Sequence, residues 1–330
     1  MRILKLDNLT YNTQEVESFV STWNNDNQSI TQQTSGSTGT PKAIEIPKWK
    51  MKGSAEMTGE FLNLKSCESA LLCMSTDYIG GKMMVVRSLI FNLTLYVTKV
   101  TRNPLKDLNH SIDFVAMVPL QVEETLQENP EKLNYIKHLI IGGAPVSDQL
   151  IEKIKDFKCN VYSTFGMTET VSHIALRNLK DKNEPYRAIG NTYFTTVDDC
   201  LVINCEELKI KDLKTTDIVH LIDEKSFHWI GRSDFVINSG GVKIHPEKVE
   251  DKIRNVITSS DFIISYLPDQ KLGNKVIFIG ESHLNTSELK SKIEKILDKY
   301  ECPKAYFFIP SLIKTPSGKI DRNKTTLEIQ

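Results

Sequence analysis

No two of the six cysteines in this 330-residue chain form a CxxC pair; they stand at positions 67, 73, 159, 200, 205 and 302. A disulfide framework or a cysteine zinc module is therefore not expected, and free thiols in a reducing compartment are. The seven histidines form no HxxxH or HxH pair, which removes the common histidine metal sites. Long apolar runs are also missing. The segment 88–98 lies between Arg87 and Lys99, too short to span a bilayer, and the first seven residues lack the apolar core of a secretory signal. Nor is there an excess of one charge: Lys plus Arg is 41 against Asp plus Glu at 42, net −1, with a pI near 6.7. Nothing in that balance points to nucleic acid or a polybasic membrane contact. Internal repeats and low-complexity stretches are absent. The expectation is a cytoplasmic protein with no nucleic-acid partner and no membrane insertion.

What is present is ordinary for a globular chain: 40% apolar and 25% charged residues, at a length that suggests two domains. Helical spacing of apolar positions marks residues 12–25, 48–64, 82–91 and 147–157, with Ser147 as N-cap. Short buried-strand runs occupy 70–74, 94–100, 114–118, 138–141 and 160–163, and two facing strands, 30–34 and 42–46, flank a Ser/Gly/Thr loop. From 187 to 230 short strands alternate with polar turns. Beyond Gly231 helices at 246–255 and 287–300 mix with strands at 262–266, 275–280 and 305–309. The pattern predicts an α/β fold. A large N-terminal domain, 1–233, has mostly parallel sheets flanked by helices plus a β-rich segment, and 234–330 forms a small mobile α+β domain.

Four segments carry chemistry. Thr34, Ser35, Gly36, Ser37, Thr38, Gly39, Thr40, Pro41 and Lys42 gather small hydroxyls, two glycines and a lysine between two strands. Such a loop turns N–H and O–H donors toward a polyphosphate, though a turn-rich hairpin has the same composition. It is not a Walker A loop, because Gly36 and Gly39 are too close and no Ser or Thr follows Lys42. The second segment is Phe165, Gly166, Met167, Thr168, Glu169 and Thr170 after a buried strand, where α/β sheets place ligands. Phe165 could stack on a base, Thr168 bond a phosphate and Glu169 hold Mg²⁺; alternatively the strand leads into a helix with Thr168 as N-cap. The third is Arg232, Ser233 and Asp234 followed by Gly240 and Gly241, which could equally be a surface ion pair and a tight turn. The fourth is a Pro/Gly turn, 314–322, presenting Lys319, a position where lysines are usually solvated.

Together and in this order, from residue 34 to residue 324, these segments resemble the adenylate-forming acyl-CoA ligase superfamily. The resemblance implies a carboxylate attacking the α-phosphate of ATP, then a thiol displacing AMP after the small domain rotates. It implies ATP and Mg²⁺, with CoA as co-substrate and a small-molecule acid as the other partner. By that resemblance Thr34 to Lys42 hold the β/γ-phosphates. Gly142, Gly143 and Ala144, with Pro145, line the adenine and acyl pockets. Phe165, beside Gly166, stacks on adenine. Thr168 contacts the α-phosphate and Glu169 the metal. Asp217 grips the ribose with Arg232 beside it. Asp234 is the hinge, Gly240 and Gly241 enter the site for thioester formation, and Lys319 stabilises charge during adenylation.

Within the superfamily, the runs 77–87 and 166–176 resemble the o-succinylbenzoate–CoA ligases of menaquinone biosynthesis, in their short bacterial form. That resemblance gives Arg87 to the second carboxylate of the substrate and places Gly81, Ser172 and His173 at the acyl pocket. Arg87 could also be a helix-surface arginine and His173 a structural one, and Tyr78 departs from the His or Phe common there. Other readings keep adenylation with a different acid or a carrier-protein acceptor, or keep only nucleotide binding. Because the phosphate loop stands at residue 34, the resemblance also implies a large domain trimmed at its N-terminus.

Overall fold

The computed structural model describes residues 2–5, 13–33, 43–181, 183–257, 261–315 and 320–329. Its first half alternates strands and helices: β1 (Arg2–Lys5), α1 (Gln14–Asn24), β2 (Ser29–Gln33), β3 (Ala43–Pro47), α2 (Lys48–Phe61), β4 (Ser69–Leu72), α3 (Ile79–Ile90), β5 (Thr94–Val97), β6 (Ile112–Met117), α4 (Pro119–Glu128), β7 (Ile136–Ile141), α5 (Asp148–Ile154) and β8 (Asn160–Gly166). Then come β9 (His173–Asn178), β10 (Tyr186–Ala188), β11 (Thr192–Val197), β12 (Cys200–Cys205), β13 (Ile210–Asp223) and β14 (Ser226–Arg232).

These strands, apart from β2 and β3, form one twelve-stranded sheet ordered β1-β5-β4-β6-β7-β8-β9-β10-β14-β13-β12-β11. It is parallel from β1 to β8 and antiparallel from β8 onward, so the β-rich segment extends the parallel sheet. β2 and β3 pair separately as an antiparallel hairpin leading into and out of the 34–42 loop. In the parallel strands successive side chains enter opposite cores. Ala70, Leu72, Phe114, Ala116 and Ile140 pack with α1, α2 and α3. Leu71, Val115, Met117, Leu139 and Ile141 pack with α4 and α5. Burial on both faces is why these strands read as continuous apolar runs rather than as alternation.

A second sheet takes the remaining strands: β15 (Ile237–Ser239), β16 (Val242–Ile244), β17 (Phe262–Asp269), β18 (Gly273–Glu281) and β19 (Ala305–Ile309), ordered β16-β15-β18-β17 with β19 beside β18. On one face α6 (Pro246–Arg254) and α7 (Leu289–Glu294) bury Val249, Ile253, Leu289 and Ile293 against Ile264, Val276 and Phe278. The terminal helix α8 (Arg322–Leu327) is held by Arg322, whose guanidinium meets the buried Glu250 at 2.5 Å.

The expected helix at 287–300 is shorter, ending at Glu294 and followed by turns. The run 166–176 also departs from a strand-to-helix reading. Thr168–Thr170 makes one 3₁₀ turn, and the chain then reverses into β9, antiparallel to β8. All six cysteines are free; four are buried, whereas Cys200 and Cys302 are half-buried.

Candidate active site

Because β4, β6, β7 and β8 run parallel, the loops leaving their carboxyl ends lie along one sheet edge, where α/β sheets bind ligands. Gly142 follows β7 there and donates its N–H to the Met117 carbonyl at 3.1 Å, with Gly143 and Ala144 exposed beside it. Thr168 and Glu169 follow β8, Glu169 exposed and Thr168 half-buried.

The 166–173 segment is tightly built. A Cβ on Gly166 would collide with the Ser172 carbonyl, so only glycine lets the chain fold back there. Thr170, wholly buried, donates its hydroxyl toward the Met167 and Ser172 carbonyls and accepts the Met167 N–H at 2.9 Å. Val171 adopts φ +66° and ψ −56°, and Ser172 N–H reaches the Thr170 carbonyl at 2.7 Å. This is a positive-φ γ-turn, a strained conformation for a β-branched residue. Strain of about 1–3 kcal/mol persists only where the surroundings over-determine it, and such places cluster at functional sites.

The turn presents Ser172 and His173 to α3 and α2. Arg87, on α3, is only 2% exposed, and its Nη2 donates to Ser172 Oγ at 2.9 Å. Among the described residues its Nε has no partner and no carboxylate pairs with it. Burial alone pulls its pKa down to about 9, so it remains a cation at neutral pH. The helix-surface alternative for Arg87 is thereby removed. His173 is also buried, with Nε2 at 2.9 Å from Thr58 Oγ1 and Nδ1 at 3.4 Å from Ser172 Oγ. Burial first, and the Arg87 charge second, hold its pKa well below the usual imidazole value. Gly81 sits in the first turn of α3, where a Cβ would strike the Ser75 carbonyl; the helix start is thus pressed against the loop after β4.

The remaining predicted residues fall into separate groups. Phe165 packs edge-on against Phe227 at 5.1 Å and tilts toward Tyr186 at 5.8 Å, with part of its surface open. Asp217, opposite Arg232 in the β13–β14 pairing, accepts Trp229 Nε1–H at 2.8 Å. Burial pushes its carboxyl pKa up, opposed by Trp229 and Arg232. Arg232 in turn pairs with Asp234 at 2.6 Å and with Thr216 Oγ1 at 2.8 Å. Gly240 and Gly241 form the tip between β15 and β16, where Gly240 N–H meets the Leu272 carbonyl at 2.8 Å, within the small sheet. A cavity of about 640 Å³ beside that hairpin is lined by residues of the small sheet region, Val242, Lys243, His245, Lys248, Lys299 and Tyr300 among them, and by none of the Arg87 cluster. The phosphate-loop residues Thr34 to Lys42 and Lys319 lie outside the described residues.

Two residues escaped sequence reasoning. Thr58 looks like one more polar position of α2, and only its burial against His173 reveals a role. Lys82, on α3, reaches the Gln32 side chain at 2.8 Å and the Thr31 carbonyl at 3.3 Å, tying α3 to the strand that enters the 34–42 loop. Its place next to Gly80 and Gly81 was the available signal.

Residues 5–224 match the family described as AMP-binding enzyme. A 2-succinylbenzoate–CoA ligase of Listeria monocytogenes is 27% identical over 338 residues, covering 94% of this chain and 72% of that enzyme. Its counterpart from Lactococcus lactis is 23% identical, covering 89% and 70%. Among solved structures, an acyl-CoA synthetase (AMP-forming)/AMP-acid ligase II-like protein from Dyadobacter fermentans is 34% identical with a TM-score of 0.63, covering 98% of this chain and 96% of that one. An o-succinylbenzoate CoA synthetase of Bacillus subtilis in complex with its acyl-adenylate intermediate shares the fold, at TM-score 0.78 and 22% identity over 89% of this chain and 68% of that one. Among the described residues no helix is long and apolar enough to cross a membrane.

Proposed function

We infer the activity from one premise: this chain belongs to the AMP-binding enzyme family. On that premise it is an AMP-forming acid–CoA ligase, and its acid is o-succinylbenzoate or a closely similar aryl keto-diacid. The observation that carries the substrate reading is Arg87, a buried guanidinium beside the 166–173 segment whose Nε is unpaired among the described residues. A buried cation without a counter-ion costs several kcal/mol, a cost that a ligand carboxylate at that point offsets. Arginine suits a carboxylate because its fork of donors matches two oxygens. A diacid has one carboxylate to be held there and another to react.

The reacting carboxylate oxygen attacks the α-phosphorus of ATP, and the bond to pyrophosphate breaks, leaving a mixed anhydride. The CoA thiolate then adds to the acyl carbon, AMP leaves with the electron pair, and the thioester remains. Thr168 contacts the α-phosphate, Asp217 the ribose with Arg232 beside it, and Phe165 presents its open surface to the adenine near Gly142, Gly143 and Ala144. Thr34 to Lys42 hold the outer phosphates, and Lys319 offsets the charge that develops at phosphorus. The Glu169 carboxylate is exposed and accepts no hydrogen bond among the described residues, which fits a hard divalent cation; Mg²⁺ held there would supply charge against the phosphates. Residues 234–330 move as a small domain about Asp234, exchanging Lys319 for Gly240 and Gly241 between the two half-reactions.

Incubation with ATP, Mg²⁺, CoA and o-succinylbenzoate should yield AMP, pyrophosphate and a thioester of the mass of o-succinylbenzoyl-CoA. Pyrophosphate exchange across a panel of aryl and aliphatic acids sets the specificity. Exchange with another acid and none with o-succinylbenzoate overturns the substrate; exchange without any CoA thioester overturns the acceptor.

A further inference from the structure

We propose that Thr58 is a positioning residue for the acid: through His173 and Ser172 it fixes which way hydrogen bonds run to Arg87, and so keeps that guanidinium turned toward a ligand carboxylate. The proposal rests on the diacid reading above and extends it to a residue on α2, outside every motif of the sequence.

Direction follows from counting protons. Thr58 has one hydroxyl hydrogen, and it goes to the Ser54 carbonyl one helical turn back, at 3.0 Å. Its oxygen can then only accept from His173, so the hydrogen of the imidazole sits on Nε2, at 2.9 Å. A neutral ring with its hydrogen on Nε2 has a bare Nδ1. The nearest hydroxyl is Ser172 Oγ at 3.4 Å, which donates to it. With its hydrogen so used, Ser172 offers only lone pairs to Arg87 Nη2 at 2.9 Å. The far end agrees with this order, because a guanidinium donates and never accepts, so Ser172 Oγ is the acceptor there. The chain runs one way from Arg87 to the backbone of α2, and no donor faces a donor.

The opposite arrangement costs a bond at the α2 end. If Thr58 donated to Nε2 it would give up the Ser54 carbonyl, and Nδ1–H would point at Ser172, whose oxygen would then have to accept from both the ring and the guanidinium. A doubly protonated ring would bury a second cation beside Arg87, which burial and that charge both oppose. With Ser172 on Nη2 the guanidinium is held in one orientation, and Nε, unpaired among the described residues, keeps its hydrogen for a ligand oxygen.

Long-range proton–nitrogen NMR spectra of the substrate-free protein read the ring directly: Nε2 should be protonated and Nδ1 bare at pH 7. Thr58→Val, nearly isosteric, should abolish that single-tautomer signature and raise KM for o-succinylbenzoate about tenfold while kcat changes less than twofold. KM for ATP serves as the reference for general damage. Thr58→Ser, which keeps the hydroxyl, should restore both signals. An Nδ1-protonated or doubly protonated ring in the wild type overturns the proposal, as does a Thr58→Val protein whose KM values for acid and ATP rise together or not at all. If Thr58→Val does not fold, the wild-type spectrum and Thr58→Ser still decide. Failure of the wild type to use any diacid removes the substrate reading but leaves the tautomer measurement standing, since no substrate is present in it.

Discussion

Arg87 sets an unusual stability balance at the level of single residues. Among the described residues its charge is buried beside a hydroxyl rather than a carboxylate, so the folded state bears a desolvation cost that a ligand carboxylate would offset. Arg87→Met, which fills similar volume without charge, should hold or raise the thermal midpoint. It should also cut kcat/KM for the diacid by about 100-fold, the loss of a charge-assisted pair worth about 1.5–3 kcal/mol. A lowered midpoint with retained activity would make the arginine structural.

His173 gives a pH-dependent effect of known sign. Its folded pKa is depressed, so its contribution is fully present above the unfolded value of 6.5 and is lost as pH falls through the folded one. Below pH 6.5 the unfolded chain binds a proton that the native ring refuses. Stability should then decline by up to about 1.4 kcal/mol per pH unit from this group, until the native ring is protonated. His173→Gln should flatten the denaturant-melt profile between pH 6.5 and 5; an unchanged slope would show that another group governs it.

Among elements, α3 shows where local rules mislead. Exchanging glycine for alanine in a helix ordinarily gains up to about 1 kcal/mol. At Gly81 the added methyl would meet the Ser75 carbonyl, a backbone atom that cannot swing aside. Gly81→Ala should therefore destabilise by about 1–3 kcal/mol and shift Arg87 with the helix, seen as a lower melting midpoint together with a higher KM for the acid. Most elements were legible in advance because strands buried on both faces and amphipathic helices leave periodic marks. β1, β15, β16, α4 and α8 were missed, being short or poor in apolar residues. β9 was hidden by chemistry: Thr168, Glu169 and Thr170 look like the start of a helix, but the γ-turn at Val171 reverses the chain. Nothing local forecasts a valine at positive φ.

At the scale of the whole molecule, the proposed two-step reaction asks for one site with two sets of partners. In the sequence Lys319 stands three residues before α8, whose Arg322 pairs with Glu250 of α6 and donates to the Ile264 carbonyl of β17. Lys319→Ala should slow adenylation by about 100- to 1,000-fold, as the loss of one preorganised charge contact does, while thiolysis of preformed acyl-adenylate changes less than threefold. Equal losses in single-turnover assays of the two half-reactions would contradict the assigned role.

The sequence alone determined the α/β class, the order of most strands and helices and the ligase-like order of motifs, because burial periodicity and short clusters of donors are written in neighbouring residues. The tertiary structure decided the Arg87 cluster. Arg87 and Ser172 are 85 residues apart, and Thr58 and His173 are 115 apart. Whether a polar side chain on a helix is solvated or becomes the last link of a buried chain depends on which face packs against the sheet edge. That is fixed only when α2, α3 and the reversed turn after β8 are brought together.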